Sequence, residues 1–431
     1  MASDQMPSSP KTLPEIEQQV ERLATLPEVR EAWQWLRSSE PRLQQWQMEL
    51  ARIPAPPFGE DAKGRWVAER FRELGLDEVA IDEVGNVLGV HPGGEISQHK
   101  PFVAVSAHID TVFPAHTPLD IRQEGSKLLG PGVSDNAAGL AALLAIAGAL
   151  QATAIRPGCP VLFIGNVGEE GEGDLRGMRH IFAQPRWRDS IAYNVILDGA
   201  GTDVIVAEAL GSRRFEITVH GPGGHSWSDF GVPNPIVILA RAIEAFSRAP
   251  IPSTPKTSTN IGVIHGGTSV NSIPESATMR VDIRSASAGE IDRLETALRN
   301  AVDGAVRDAV EEFAEDVRSA KESLRPDSRR APVTSEITVI GNRPSGELPA
   351  GAPILQVIHA VDSHLDNTAQ VQRASTDANI PLSMGRQAIA LGAGGRGGGA
   401  HTLQEWFDCS GRELGLQRIL LAVLALTGVH E

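Results

Sequence analysis

Two histidines and a set of carboxylates in this chain sit where short apolar runs end. Phe102–Ala107 leads into His108-Ile109-Asp110, and Val161–Val167 leads into Gly168-Glu169-Glu170. Asn194–Leu197 leads into Asp198, Ala388–Leu391 leads into a glycine loop that reaches His401, and Asp135 stands before a helix of small residues. Imidazoles and carboxylates together make a mixed nitrogen and oxygen donor set, suited to zinc and also to cobalt or manganese. The adjacent Glu169 and Glu170 repel each other and are costly to bury unless cations compensate them. Because successive side chains diverge, one of the pair can ligate while its neighbour faces a substrate.

Each residue alone has a plainer role. His108 could be a strand-end histidine capped by a turn Asp110, Asp135 a helix N-cap, and Asp198 a turn residue before Gly199. Glu169 and Glu170 could be solvated loop residues among Gly168, Gly171 and Gly173. Taken together they give two histidines and three carboxylates (Asp135, Glu170, Asp198), with Glu169 left over. One bridging Asp and two terminal ligands per ion would make two sites, the three ligand carboxylates and a hydroxide offsetting two divalent charges. His108 and Asp110 lie two apart, so on a strand end they face the same way and Asp110 can accept the second ring N–H. Gly392-x-Gly394-x-x-Gly397 matches a dinucleotide fingerprint by letter, but no βαβ unit can complete around it so near the C-terminus. Its glycines, Gly394 and Gly395 among them, are read as letting backbone approach a bound ligand, in a loop expected to be mobile.

Short β-branched runs separated by helical stretches predict an α/β fold: a mixed, mostly parallel sheet flanked by helices, with ligands gathered at the strands' carboxyl ends. The long gap between Asp198 and His401 holds a different texture. Alternating strands around Arg214–His220, Ser258–His265, Ala277–Arg284 and Thr334–Ile340 enclose helices at 234–248 and 288–321. That β-α-β-β-α-β order is that of an inserted ferredoxin-like α+β module. The expected organisation is a disordered start at 1–12, an N-terminal helical extension at 13–50, a first catalytic part at 51–211, the insert at 212–342 and a second catalytic part at 343–431. In the extension, apolar residues from Ile16 to Leu50 recur at three- and four-residue steps, punctuated by Pro27 and Pro41, which predicts two or three amphipathic helices.

The chain has 431 residues and a formal charge of −15, which argues against nucleic acid as a partner because phosphate binding needs a basic face. No run approaches the ~18 apolar residues of a membrane span, so no membrane partner is expected. The start lacks a basic patch followed by an apolar stretch, and with two cysteines a disulfide framework is excluded; a reducing cytosol is the expected location.

At this point the chain resembles the dizinc family of peptidase T, glutamate carboxypeptidase, acetylornithine deacetylase and the aminoacylases. The motifs that carry the resemblance are Ser106–Thr111, Gly132–Asn136, Gly168–Glu170, Asp198 and His401–Glu405. Gly221–Ser226, Gly266–Glu275 and Asp282–Arg284 match the family's inserted lid, and Ser375–Pro381 leans toward the peptidase T side. The resemblance runs from about Glu49 onward and leaves the N-terminal helices without a counterpart. It implies a zinc exopeptidase-like catalytic domain with a lid that also makes a homodimer. It further implies two divalent ions bridged by Asp135, one held by His108 and Asp198 and the other by Glu170 and His401. Glu169 would be the general base and Asp110 the outer partner of His108. His225 would polarise the scissile carbonyl, reaching the partner's site, and Asn271 and Arg284 would contact substrate. A histidine in a glycine turn and an arginine paired within its strand are the structural alternatives for His225 and Arg284. Ala137 departs from several peptidase T-like members, which carry Lys there. The implied activity is hydrolysis of short peptides by an exopeptidase of di- or tripeptidase type, with an N-acyl amino acid deacylase as the alternative.

Overall fold

Four apolar runs become adjacent parallel strands because each is buried along nearly its whole length, as strands covered on both faces must be. In spatial order they are Val161–Asn166, Phe102–His108, Ile191–Leu197 and Gln387–Leu391. Their register pairs His108 with Asn166 and Leu197 with Leu391, so the four carboxyl ends emerge on one edge. Asp77–Ile81 and Val87–His91 extend the sheet antiparallel on one side. Val204–Ala209, Gly346–Glu347 and Gln370–Ala374 extend it on the other. The structure, a computed structural model, describes residues 12–94, 101–319 and 333–428. The start read as disordered lies outside these residues apart from Thr12, as does the end of the long lid helix at Lys321.

The chain divides into two compact units, Met1–Ala209 with Gly346–Glu431, and Leu210–Ser345. In the first, Ala137–Ala152 is apolar on every side and buried from Ala137 to Leu150, the mark of a helix enclosed by other elements. The N-terminal extension forms three helices, Leu13–Thr25, Pro27–Ser38 and Glu40–Arg52, whose first turns hold the prolines at 14, 27 and 41. They belong to this unit's core: Val20, Val29, Leu36, Leu43 and Leu50 are buried, and Gln47 donates from Nε2 to the Val133 carbonyl at 2.6 Å. The closing helix Arg412–Thr427 is pinned to Pro353–His364 by a buried bidentate pair, Arg418 Nε and Nη2 to the two oxygens of Asp362 at 2.6 and 2.7 Å.

A small second sheet in the same unit joins Arg122–Glu124, Lys127–Leu129, Trp406–Asp408 and Arg396–Gly398. These three-residue strands are too short to show a period in sequence. Part of the glycine loop expected to be mobile is therefore a paired strand.

In the second unit the strands Thr257–Gly266, Ser276–Ser285, Gly211–His220 and Thr334–Arg343 form an antiparallel sheet in that spatial order. Helices Pro235–Ser247 and Ala288–Ser319 share an apolar core with it through Phe215, Ile217, Leu239, Leu294 and Leu298. This is a ferredoxin-like arrangement.

Candidate metal centre

The sheet edge brings His108, Asp135, Glu169, Glu170, Asp198 and His401 together. His108, Asp135 and Asp198 form one group able to hold a metal ion, Asp135, Glu170 and His401 another, and the two share Asp135. Asp135 Oδ1 lies 3.1 Å from His108 Nε2 and its Oδ2 lies 3.0 Å from His401 Nε2. His108 Nε2 is 3.7 Å from Asp198, and His401 Nε2 is 3.1 Å from Glu170. Asp135 Oδ1 is buried yet accepts no well-aligned hydrogen bond, as a lone pair meant for a cation would be left. This donor set fits a pair of divalent ions. His108, Glu169 and Glu170 also lie within a ligand's reach of one another, so Glu169 is at the same place.

Local structure explains how each side chain is delivered. Asp135 does not cap the helix that follows; Asn136 does, its Oδ1 accepting from Gly139 N at 3.1 Å. Asn136 also donates to the Leu197 carbonyl at 2.9 Å and accepts from Gly199 N at 3.1 Å, fastening the Asp135 segment to the strand end that carries Asp198. His108 Nδ1 faces the main-chain carbonyl of Asp110 at 3.1 Å, while the Asp110 carboxylate is 3.8 Å away. The second ring nitrogen thus meets the carbonyl rather than the expected carboxylate. That carboxylate is turned instead to the backbone N–H groups of Glu169 and Glu170, at 3.0 and 2.7 Å, and so sets the glutamate pair in place. His401 has a left-handed φ of 65°, uncommon for a non-glycine residue and frequent at functional positions.

The charges answer one another. Burial works against a charged His108, but Asp135 and Asp198 prevail and raise it well above its ordinary value. His401 is raised to about 9, by its bond to Asp135 foremost. Burial works against an ionised Asp135, yet the two histidines hold it below the usual carboxylate range. Glu170 is pushed up to about 7 by burial and by the charge of Asp135.

Three supporting residues carry no signal in local spacing. Glu405 is buried and accepts three backbone N–H bonds from the Asp135 loop. Lys63 is buried, which lowers it to about 8, while Asp110, Glu405, Glu60 and Asp135 favour its charge. Asp377, fully buried and pushed up to about 7 by that burial, accepts from Asn166 Nδ2 at 2.6 Å. Glu405 and Asp377 stand inside motifs that marked only a likeness, and Lys63 reads as an ordinary helix residue.

Gly394 and Gly395 turn out to be demanded by packing. A side chain on Gly394, at φ 80°, would meet the Arg412 carbonyl at 2.6 Å, and one on Gly395, at φ 63°, the Asp408 carbonyl at 2.6 Å. Gly395 still borders a cavity of about 640 Å³ that also reaches Asp135, Asp198, Arg396 and Trp406.

The other expected residues belong to the second unit. His225 is exposed, and its Nδ1 accepts from the N–H groups of Trp227 and Ser228 at 3.2 and 3.4 Å. A neutral ring accepting at Nδ1 carries its proton on Nε2, so Nε2 is a donor. His225 pairs with Ser272, and the Asn271 carbonyl accepts from Ser226 N at 3.0 Å, which brings His225 and Asn271 side by side. Arg284 Nε donates to Asp282 at 2.6 Å within its own strand, the structural alternative for that residue.

Comparison with known proteins agrees with this architecture. Residues 86–209 match the model of peptidase family M28, and residues 207–310 match the peptidase dimerisation domain. A protein of Aspergillus clavatus named as a probable carboxypeptidase is 29% identical over 214 residues, 45% of this chain and 46% of that protein. The chain spans about half the length of the curated relatives it matches. An aminopeptidase of Bacillus cereus shares the fold with a TM-score of 0.68 at 20% identity, covering 90% of this chain and 98% of that one. A dinuclear metal-binding peptidase of Bacillus subtilis does so at 0.64 and 15%, covering 91% and 100%. A stretch that matches a peptidase family model, a stretch that matches the peptidase dimerisation domain and a ligand cluster that shares Asp135 make the chain similar to dimetal peptidases.

Proposed function

We propose that this protein is an exopeptidase that hydrolyses a peptide bond of short peptides at a centre of two divalent metal ions, zinc first and cobalt or manganese also suited. The observation that carries the reading is the pair of ligand groups sharing Asp135, with buried Glu169 beside them. His108 and Asp198 would hold one ion, Glu170 and His401 the other, and Asp135 both. Bound ions supply acidity to a water and polarise the carbonyl oxygen. Glu169 takes the proton of the attacking water and hands it to the amine nitrogen as the C–N bond breaks. Asp110 keeps the Glu169 and Glu170 backbone in place while this happens. The cavity of about 640 Å³ lies in the range of small-ligand sites and suits a di- or tripeptide. The carboxypeptidase and aminopeptidase names of the relatives support action at a chain end. The dimerisation-domain match supports a homodimer, and His225 would donate from Nε2 to the oxyanion.

Glu169→Ala tests the mechanism. It should retain two ions and lose about 10²–10⁴-fold in kcat, the range of general-base removal; undiminished turnover would refute the role. A panel of di- and tripeptides beside acetyl-amino acids tests the substrate. Hydrolysis of the acetyl compounds alone would move the assignment to an N-acyl amino acid deacylase.

A further inference from the structure

Asp135 and His401 come from loops far apart in the chain, and one side chain joins those loops. Glu405 lies four residues beyond His401 and is only 1% exposed. Its Oε1 accepts from Ser134 N and Asp135 N, both at 2.7 Å, and its Oε2 accepts from Gly132 N at 2.8 Å. Its own carbonyl accepts from Gly130 N at 2.8 Å. Hydrogen bonds to an ionised acceptor are roughly twice as strong as neutral ones, and here three converge on one carboxylate. The strands at the roots of the two loops are paired as well, Leu129 with Trp406. The His108 side of the site is held differently. His108 ends one strand of the main sheet and Asp198 follows the neighbouring one, to whose end Asn136 ties the Asp135 segment.

We propose that Glu405 is a positioning residue that couples the Asp135 loop to the His401 loop and thereby fixes the Asp135–Glu170–His401 half of the centre. The three backbone N–H bonds offset the cost of burying this carboxylate. The inference rests on the dimetal reading. An amide at 405 would keep one acceptor oxygen but turn an NH2 group toward a backbone N–H, setting donor against donor. A shorter acid would keep the charge and reach fewer of the three groups.

Metal-free full-length protein, wild type and Glu405→Gln, is titrated with zinc against a chromogenic chelator and with cobalt(II) followed by its visible spectrum. Wild type should take up two ions. Glu405→Gln should keep one with unchanged affinity and bind the other about 10–100-fold more weakly, as loss of an outer-shell partner does. The cobalt spectrum should lose the contribution of one ion only, and Glu405→Asp should recover part of the loss. Two ions bound with wild-type affinity by the Gln variant, or both weakened equally, would overturn the proposal. If circular dichroism shows the Gln variant unfolded, the Asp variant is held to the same criteria. Fewer than two ions on wild type would instead refute the dimetal reading itself.

Discussion

Asp135 faces a histidine with each oxygen, and both histidines are held protonated well above their ordinary range by the carboxylates around them. A metal ion needs those imidazoles neutral and Glu170 ionised, so ion and protons compete for the same atoms. His401, raised to about 9, and Glu170, raised to about 7, bind protons at pH 6 that they must release to ligate. Zinc affinity should therefore climb from pH 6 to 9, by about tenfold per pH unit for each proton released. Calorimetry in buffers of different ionisation enthalpy reads that release, and identical heats in all buffers would contradict it. At this scale the ligand types were legible in sequence, because a histidine or a carboxylate after an apolar run is conspicuous. The direction of Asp110 was not: its carboxylate chose two backbone N–H groups over the His108 ring, a choice made by a loop 59 and 60 residues away.

Among the elements, the four parallel strands do the gathering and the helices hold the strands in place. The closing helix Arg412–Thr427 is anchored by Arg418 on Asp362, both buried, with Asn367 donating to the same carboxylate at 2.8 Å. Asp362→Ala would leave a buried guanidinium without its counter-charge and should cost about 3–5 kcal/mol, measured by chemical denaturation of the metal-free protein. A loss below about 1 kcal/mol, the scale of an exposed pair, would show that water reaches the site. Strand and helix positions were readable because long buried runs and prolines at helix starts are strong local signals. The small sheet was hidden because strands of three residues show no period in sequence. For the same reason the glycine run looked like a mobile loop, whereas Arg396–Gly398 pairs with Trp406–Asp408.

At the scale of the whole molecule, the second unit presents apolar side chains to solvent: Trp227 is 86% exposed, Phe230 82% and Val270 105%. Exposed apolar residues on a unit that matches a dimerisation domain fit a surface buried by a second copy. The reading in which His225 serves its partner's site makes a test in mixed subunits. Neither His225→Ala nor Glu169→Ala protein alone should turn over substrate well, while a mixture allowed to exchange should recover activity. Each exchanged dimer then holds one site with both residues intact. No recovery in dimers verified by sedimentation would place His225 in service of its own chain.

The sequence by itself determined the kind of chemistry, the α/β class of the first unit and the ferredoxin-like order of the second. Donor types, apolar runs and strand-helix order are local properties that survive without coordinates. Only the tertiary structure decided which oxygen of Asp135 meets which histidine, that Asn136 rather than Asp135 caps its helix, and that Gln47 of the N-terminal extension supports the Asp135 loop. It alone also brought Glu405 onto that loop, across 270 residues. Such contacts arise when distant segments are packed side by side, and a buried backbone N–H then takes whichever acceptor the packing presents.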